Sequence, residues 1–283
     1  MTTDTERQTG TESTREVRTV LVTGASGRTG RRVAEAAAAQ GAAVRAASRS
    51  SEWRFDWDDP ATWTAALDGA DAAYLAHPAD IGAPGAAEQV GAVAARAVEL
   101  GVRRLVLLSA RGEDQAVPTE EALKASGAEW TVVRSAWFAQ NLSEGPIAES
   151  AAGGELVFPA GEVLEPFVDL RDLGEVVAAA LVRPEPAGRV LDVTGPRLLS
   201  WREAAEEITA GTGRKLTYVP VSVEEYGGIL RGAGLPAEEV AFLEELFRTL
   251  LDGRNAAVSH DVRDVLGRPP RDFADFVRDA FAG

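Results

Sequence analysis

Residues 23–30 read Thr23-Gly24-Ala25-Ser26-Gly27-Arg28-Thr29-Gly30, between an apolar run at 17–22 (Val17, Val20, Leu21, Val22) and an Ala-rich stretch at 31–40. A buried strand, a glycine-rich turn and a helix in that order read as the first βα unit of a dinucleotide-binding sheet. Gly24 permits the tight turn, Gly27 lets backbone approach a diphosphate without an intervening Cβ, and Gly30 lets helix pack close to strand. The helix start then offers unpaired N–H groups and a partial positive charge to the anion. Glycines also serve plain turns, and it is the place of this triplet in an alternating chain that favours the dinucleotide. A Walker-type phosphate loop is excluded, because no Gly-Lys-Ser/Thr follows.

Outward from the turn the alternation continues. Strands are expected at 44–47, 53–57, 72–76, 105–108 and 130–133, with helices at 86–100 and 119–126 and a further one opened by Asp59 with Pro60 at its first position. Short apolar strands alternating with helices imply a parallel sheet covered on both faces. After Ser143 the rhythm loosens. Residues 163–168 read as strand, 172–182 as helix and 189–193 as a last sheet strand. Ser200 with Glu203 and Ser222 with Glu225 form capping boxes, and helices at 223–231, 237–251 and 271–281 close the chain. The expected fold is α/β, a Rossmann-like doubly wound parallel sheet with a smaller, interleaved C-terminal α/β lobe. Residues 1–16 read as a disordered polar tail, 17–153 as the dinucleotide-binding domain and 154–283 as a substrate-binding lobe, with 163–193 partly returning to the sheet.

Composition narrows the function. Lys and Arg total 29 against 44 Asp and Glu, a net charge of −15 over 283 residues. So acidic a surface argues against nucleic acid and anionic membrane. The absence of cysteine excludes disulfides, thiolate nucleophiles and Cys-ligated metal. Two histidines, His77 and His260, leave little for a metal site, and none is expected. No apolar run suits a membrane helix or a signal peptide, so the expectation is a cytoplasmic monomer or homodimer acting on a small molecule.

The end of the second strand selects the dinucleotide. An NAD site usually places a carboxylate there for the ribose 2′-hydroxyl. This chain has Ser48-Arg49-Ser50-Ser51 instead. Arg49 could fork onto a 2′-phosphate, and Arg28 could reach the same phosphate from the other side, although both also read as solvated charges. NADP(H) is therefore preferred over NAD(H). Asp56 and Trp57 would lie beside the adenine, with core packing the other reading of Trp57.

The segment Ala125-Ser126-Gly127-Ala128-Glu129-Trp130-Thr131-Val132-Val133-Arg134-Ser135-Ala136-Trp137-Phe138-Ala139-Gln140-Asn141 resembles a motif of the NmrA-like branch of atypical short-chain dehydrogenases. So do Phe167-Val168-Asp169-Leu170-Arg171-Asp172 and Val193-Thr194-Gly195-Pro196. Within that family the chain is similar to bacterial relatives of the ergot-alkaloid reductases (festuclavine and agroclavine dehydrogenase type) and of NAD(P)H:quinone oxidoreductases. The resemblance implies a Rossmann fold and NADP(H) use. It places Ala76-His77-Pro78, Ser109-Ala110-Arg111 and Ser135-Ala136-Trp137-Phe138 around the nicotinamide, with Ser26 and Thr29 at the phosphates and Asn141 toward the substrate. Ser109 reads equally as a turn cap, and Trp137 and Phe138 as core. His260 reads as surface.

The Tyr-x-x-x-Lys acid pair of short-chain dehydrogenases is missing: Glu120 stands four residues before Lys124, and Gly211 four before Lys215. What survives is hydride transfer to an acceptor needing no strong protein acid, such as an iminium, an activated C=C or a quinone. His77 and Ser109 are candidate proton relays. Tyr226 is a candidate catalytic and substrate-binding residue in a lid with Ile229, Leu230, Phe242, Leu246 and Phe247, a pattern that amphipathic packing explains as well. An NADP-binding redox sensor without turnover is the alternative, and a Rossmann relic without cofactor affinity is a third. A charge-assisted contact to a phosphate is worth roughly 1.5–3 kcal/mol. Arg49→Asp is accordingly expected to weaken NADPH by about ten- to hundredfold and NADH far less. Equal losses in fluorescence titrations would dispose of the 2′-phosphate assignment.

Overall fold

In the computed structural model, which describes residues 17–282, the strand before the glycine turn is β1 (Thr19–Val22). Val20 and Val22 enter one hydrophobic cluster and Leu21 the other, all fully buried. Successive strand side chains point to opposite faces, so a strand apolar on both must be covered on both. The chain supplies that cover by alternation: α1 (Arg28–Ala39), β2 (Ala43–Ser48), β3 (Trp53–Arg54), α2 (Trp63–Leu67), β4 (Ala72–Leu75), α3 (Ala86–Glu99), β5 (Arg104–Ala110), α4 (Val117–Lys124) and β6 (Glu129–Ser135). In α3 the buried Ala86, Val90, Val93, Ala94 and Ala97 fall on one helical face. Asp59 caps the turn before α2, accepting from the Ala61 N–H.

The second half is more broken: α5 (Pro146–Ser150), β7 (Glu155–Phe158), β8 (Leu164–Glu165), α6 (Leu170–Val182), β9 (Arg189–Val193), β10 (Leu199–Ser200), α7 (Trp201–Thr212), β11 (Thr217–Pro220), α8 (Val223–Gly232), α9 (Ala237–Leu250), α10 (Asp261–Leu266) and α11 (Phe273–Ala280). The main sheet has seven parallel strands in the order β3-β2-β1-β4-β5-β6-β9. This is the doubly wound arrangement the alternation implied, and its order reverses between β1 and β4. One face is covered by α1 and α6, and the other by α2, α3 and α4. Helix α6 can lie close on α1 because position 174 is glycine: a Cβ there would stand 3.0 Å from the Arg32 backbone.

Several bounds differ from the sequence reading. The strand expected at 53–57 is only Trp53–Arg54, because Phe55 and Trp57 turn into the core below. Of the strand expected at 163–168, Leu164–Glu165 remain, with a separate bridge at Val168. Helix α1 starts at Arg28, so the last glycine of the turn lies in its first turn. Strands β7 and β11, which pair in parallel, were not foreseen. Both capping boxes are formed. The chain re-enters the sheet layer through α6 and β9 and again through α10, whose Val262 is fully buried in the α1–α6 core. A third core fills the C-terminal lobe, where Phe158 stacks on Trp201 at 4.2 Å. The polar tail expected over 1–16 lies outside the described residues. No helix among the described residues is long and apolar enough to cross a membrane.

The loop leaving β6 is fastened to the start of α6. The Ala139 N–H donates to the Val168 carbonyl (2.8 Å), and the Val168 N–H to the Trp137 carbonyl (2.9 Å). Gln140 donates through Nε2 to Asp169 Oδ1 (3.0 Å) and accepts from the Leu170 N–H (2.9 Å). Asp169 caps α6 through the Arg171 N–H and pairs with the Arg171 guanidinium. Burial pushes the Asp169 carboxyl up, but the bonds from Arg171 outweigh it and hold the group below its ordinary value. Its stabilisation is therefore present above the unfolded value near 3.9 and lost as the pH falls through the folded one. Asparagine keeps the cap and removes the charge. Asp169→Asn should cost about 1–3 kcal/mol at pH 7, and the gap from the unaltered protein should close below about pH 4 in urea melts.

Candidate active site

The C-terminal ends of β1, β4, β5 and β6 open into one cavity of about 430 Å³, and the C-terminal lobe closes its far side. In open α/β sheets ligands bind at this end, near the reversal in strand order.

The glycine turn forms one wall. Gly24 has φ +62°, a left-handed conformation that favours glycine. Gly27 is the extended N-cap of α1 and is exposed. A Cβ on Gly30 would run into the Gly24 carbonyl, so only glycine lets the helix start this close to the strand end. No side chain caps α1, and its first turn holds no acidic residue. Its leading N–H groups are thus free for an anion. This arrangement fits a dinucleotide diphosphate. Ser26 is exposed on the turn, while Arg28 and Thr29 lie on the cavity wall.

Arg28 and Arg49 have different surroundings. The Arg28 guanidinium turns toward the β6 loop, donating to Asn141 Oδ1 (2.7 Å) and the Glu144 carbonyl (3.3 Å), and lies 5.9 Å from the centre of the Phe138 ring. Burial lowers the Arg28 pKa, with Glu144 opposing and Arg31 and Arg32 adding to the effect. Arg49 is exposed beyond β2, on a turn in which the Ser48 N–H donates to Ser51 Oγ (2.8 Å), and it makes no hydrogen bond or ion pair among the described residues. Asp56 accepts from the Asp58 N–H through its carboxylate. Trp57 is buried, edge-on to Phe55 at 5.4 Å and to His77 at 5.2 Å, so packing describes it.

The loop after β4 brings Ala76 and His77 to the cavity. Thr23 Oγ1 bridges the strand ends, donating to the Tyr74 carbonyl and accepting from the Ala76 N–H. Both His77 nitrogens face acceptors, Nε2 at 2.7 Å from Gln89 Oε1 and Nδ1 at 3.3 Å from the Ala79 carbonyl. That geometry holds the ring in place. At the end of β5, Ser109 lines the cavity but donates its hydroxyl to Glu120 Oε1 (2.7 Å). Glu120, 1% exposed, is in turn gripped through both oxygens by Arg134. Ser135, Trp137, Phe138 and Asn141 supply the β6 wall. Trp137 also meets Phe158 and Trp201 edge-on, joining the cavity to the lobe core. Tyr226 stands apart, packed on Phe158 (5.4 Å) and Phe247 (5.7 Å). From this lobe Leu246, Leu250 and Asn255 reach the cavity instead.

Sequence reasoning passed over Asp80, Glu113 and Asn255, all on the wall. Each stands in a polar loop, and no spacing marks it.

The chain matches the NmrA-like family over residues 16–264. It is 30% identical to festuclavine dehydrogenase of Aspergillus fumigatus, covering 91% of this chain and 96% of that protein. Among solved structures it is similar to an NADPH-dependent quinone oxidoreductase of Escherichia coli complexed with NADPH (TM-score 0.75, 22% identity, 93% of this chain and 99% of that one). It is also similar to a triphenylmethane reductase of Citrobacter complexed with NADP(H) (TM-score 0.73, 19% identity, 93% and 99%). The last two show a shared fold.

A Cβ at position 27 would stand 3.1 Å from the Gly24 carbonyl, on the exposed rim of the turn. Gly27→Val is expected to abolish dinucleotide binding in calorimetry while the circular dichroism spectrum stays native. Retained affinity would mean that the turn is only a turn.

Proposed function

The chain belongs to the NmrA-like family, and on that footing we propose that it is an NADPH-dependent reductase delivering hydride to a small organic acceptor: a quinone, an activated C=C or an iminium. The observation that carries this reading is the joining of an uncapped helix start to an aromatic and aliphatic cavity that contains no tyrosine. None of Tyr74, Tyr218 and Tyr226 lines it. A site of this kind can hold a flat acceptor on Trp137, Phe138, Ile81 and Leu246, but it lacks the phenol that ketone reduction ordinarily uses.

NADPH, when bound, supplies the hydride from nicotinamide C4. The protein's own part is to fix the geometry and keep water out. The free N–H groups of the first turn of α1 would hold the diphosphate, and Arg28 stands beside them, positioned by Asn141. The preference for the 2′-phosphate rests on Arg49, exposed and unpaired where an NAD site has a carboxylate. The Ser109–Glu120–Arg134 chain stiffens the end of β5 under the nicotinamide position. The names borne by the relatives, a clavine dehydrogenase and quinone and dye reductases, support an acceptor of this class.

Stopped-flow mixing of protein and NADPH with a panel of quinones, enones and iminium salts should show loss of NADPH absorbance with at least one acceptor. Tight NADPH binding with no oxidation by any of them would contradict the reading and favour a sensor of the cofactor.

A further inference from the structure

Glu113 has no part in this account so far, yet its carboxyl is the least solvated acid on the cavity wall. The residue is 4% exposed, and neither carboxyl oxygen accepts a hydrogen bond. No cation pairs with it among the described residues. The loop after β4 folds directly over it: a side chain at Gly82 would collide with Glu113 Oε1 and Gln115. Thr119 Oγ1 pins that loop by donating to the Ile81 carbonyl (2.9 Å). Gly82 stands between the two acids: its N–H donates to Asp80 Oδ1 (2.8 Å), and its Cα faces Glu113 Oε1 too closely for a Cβ. Asp80 is half-buried and lines the same cavity.

The other charged groups nearby are already engaged. Glu120 of α4 is bound by Arg134 and Ser109, and Arg111 is turned to Asp192 and the Asn255 carbonyl. Burial first, then the Asp80 carboxyl, push Glu113 up to about 9. Glu120 adds to this, and the Gly82 N–H opposes it short of hydrogen-bond geometry. Raised that far, the Glu113 carboxyl keeps its proton at neutral pH.

We propose that the Asp80–Glu113 pair is the proton donor of the reduction, Glu113 storing the proton and Asp80 presenting it to the acceptor in the cavity. This rests on the reductase reading above. When hydride reaches a neutral quinone or enone, its electron pair leaves the acceptor an anion. An O–H bond of the carboxyl pair then breaks, and an O–H bond forms on the quinone or a C–H bond on the enone. The pair is left as two carboxylates until solvent returns one proton. A triarylmethyl cation is neutralised by hydride alone and needs no such donor. The pair thereby supplies the proton for which the chain has no Tyr–Lys pair.

Two measurements on the 283-residue chain test this. Infrared spectra of the cofactor-free protein should show a protonated carboxyl at pH 7 that titrates near 9 and is absent from Glu113→Gln. In kinetics, the ratio of kcat with a quinone to kcat with a triarylmethyl cation should fall about 100-fold in Glu113→Gln, with Asp80→Asn made alongside as a second variant. In the unaltered protein that ratio should fall as the pH rises through about 9. No protonated carboxyl at pH 7, or an unchanged ratio in both variants, overturns the proposal and leaves the reductase reading standing. Failure of the unaltered protein to oxidise NADPH with any quinone, enone, iminium or triarylmethyl acceptor overturns that reading and the proposal with it.

Discussion

The site depends on one close contact, the start of α1 laid against the end of β1. It is possible only because Gly30 presents no Cβ to the Gly24 carbonyl and Gly24 tolerates a positive φ. With helix and strand that near, the first turn keeps its N–H groups uncapped and directed at the space above the sheet. The remaining strand ends meet at the same level because the sheet is parallel throughout, and four loops converge on one cavity.

Polar clamps hold those loops, and they account for the motif residues. Arg134 binds the buried Glu120, which takes the Ser109 hydroxyl, so three residues of β5, α4 and β6 act as one unit. Gln140 and Asp169 lock the β6 loop to α6, and Asn141 carries Arg28. Asp172 is bound by Arg268 and Arg271, which ties the C-terminal segment to α6. Buried charges are tolerable where each is hydrogen-bonded. Glu113 and Glu165 are buried without a hydrogen bond to either carboxyl oxygen, and of the two Glu113 lines the cavity.

How far the sequence could be read follows from the range of the interactions. The parallel sheet was legible because short Val and Leu runs, glycine stops and Ala-rich helices are local signals. So were the two capping boxes and the glycine turn. Strands β7 and β11 were not, since their pairing joins segments far apart in sequence and neither is apolar enough to show alone. The return of α10 rests on one fully buried residue, Val262, with Val265 and Leu266 partly buried beside it. Within the site, the direction of Arg28 depends on Asn141, 113 residues away, so no local pattern could show it. Trp57 and Tyr226 fitted packing and function equally well in sequence, and contacts with Phe55, Phe158 and Phe247 decided where they lie. Asp80 and Glu113 read as ordinary loop acids until the Gly82 segment folds over them.

The central claim is that a dinucleotide enters by its diphosphate at the first turn of α1 and extends its reactive ring into the cavity between Ser109 and Trp137. A crystal structure grown with NADPH tests this most directly. The account predicts diphosphate oxygens on the N–H groups of Arg28 and Thr29, with the nicotinamide over the end of β5. A dinucleotide seated elsewhere, or a turn that stays empty at saturating NADPH, would contradict it.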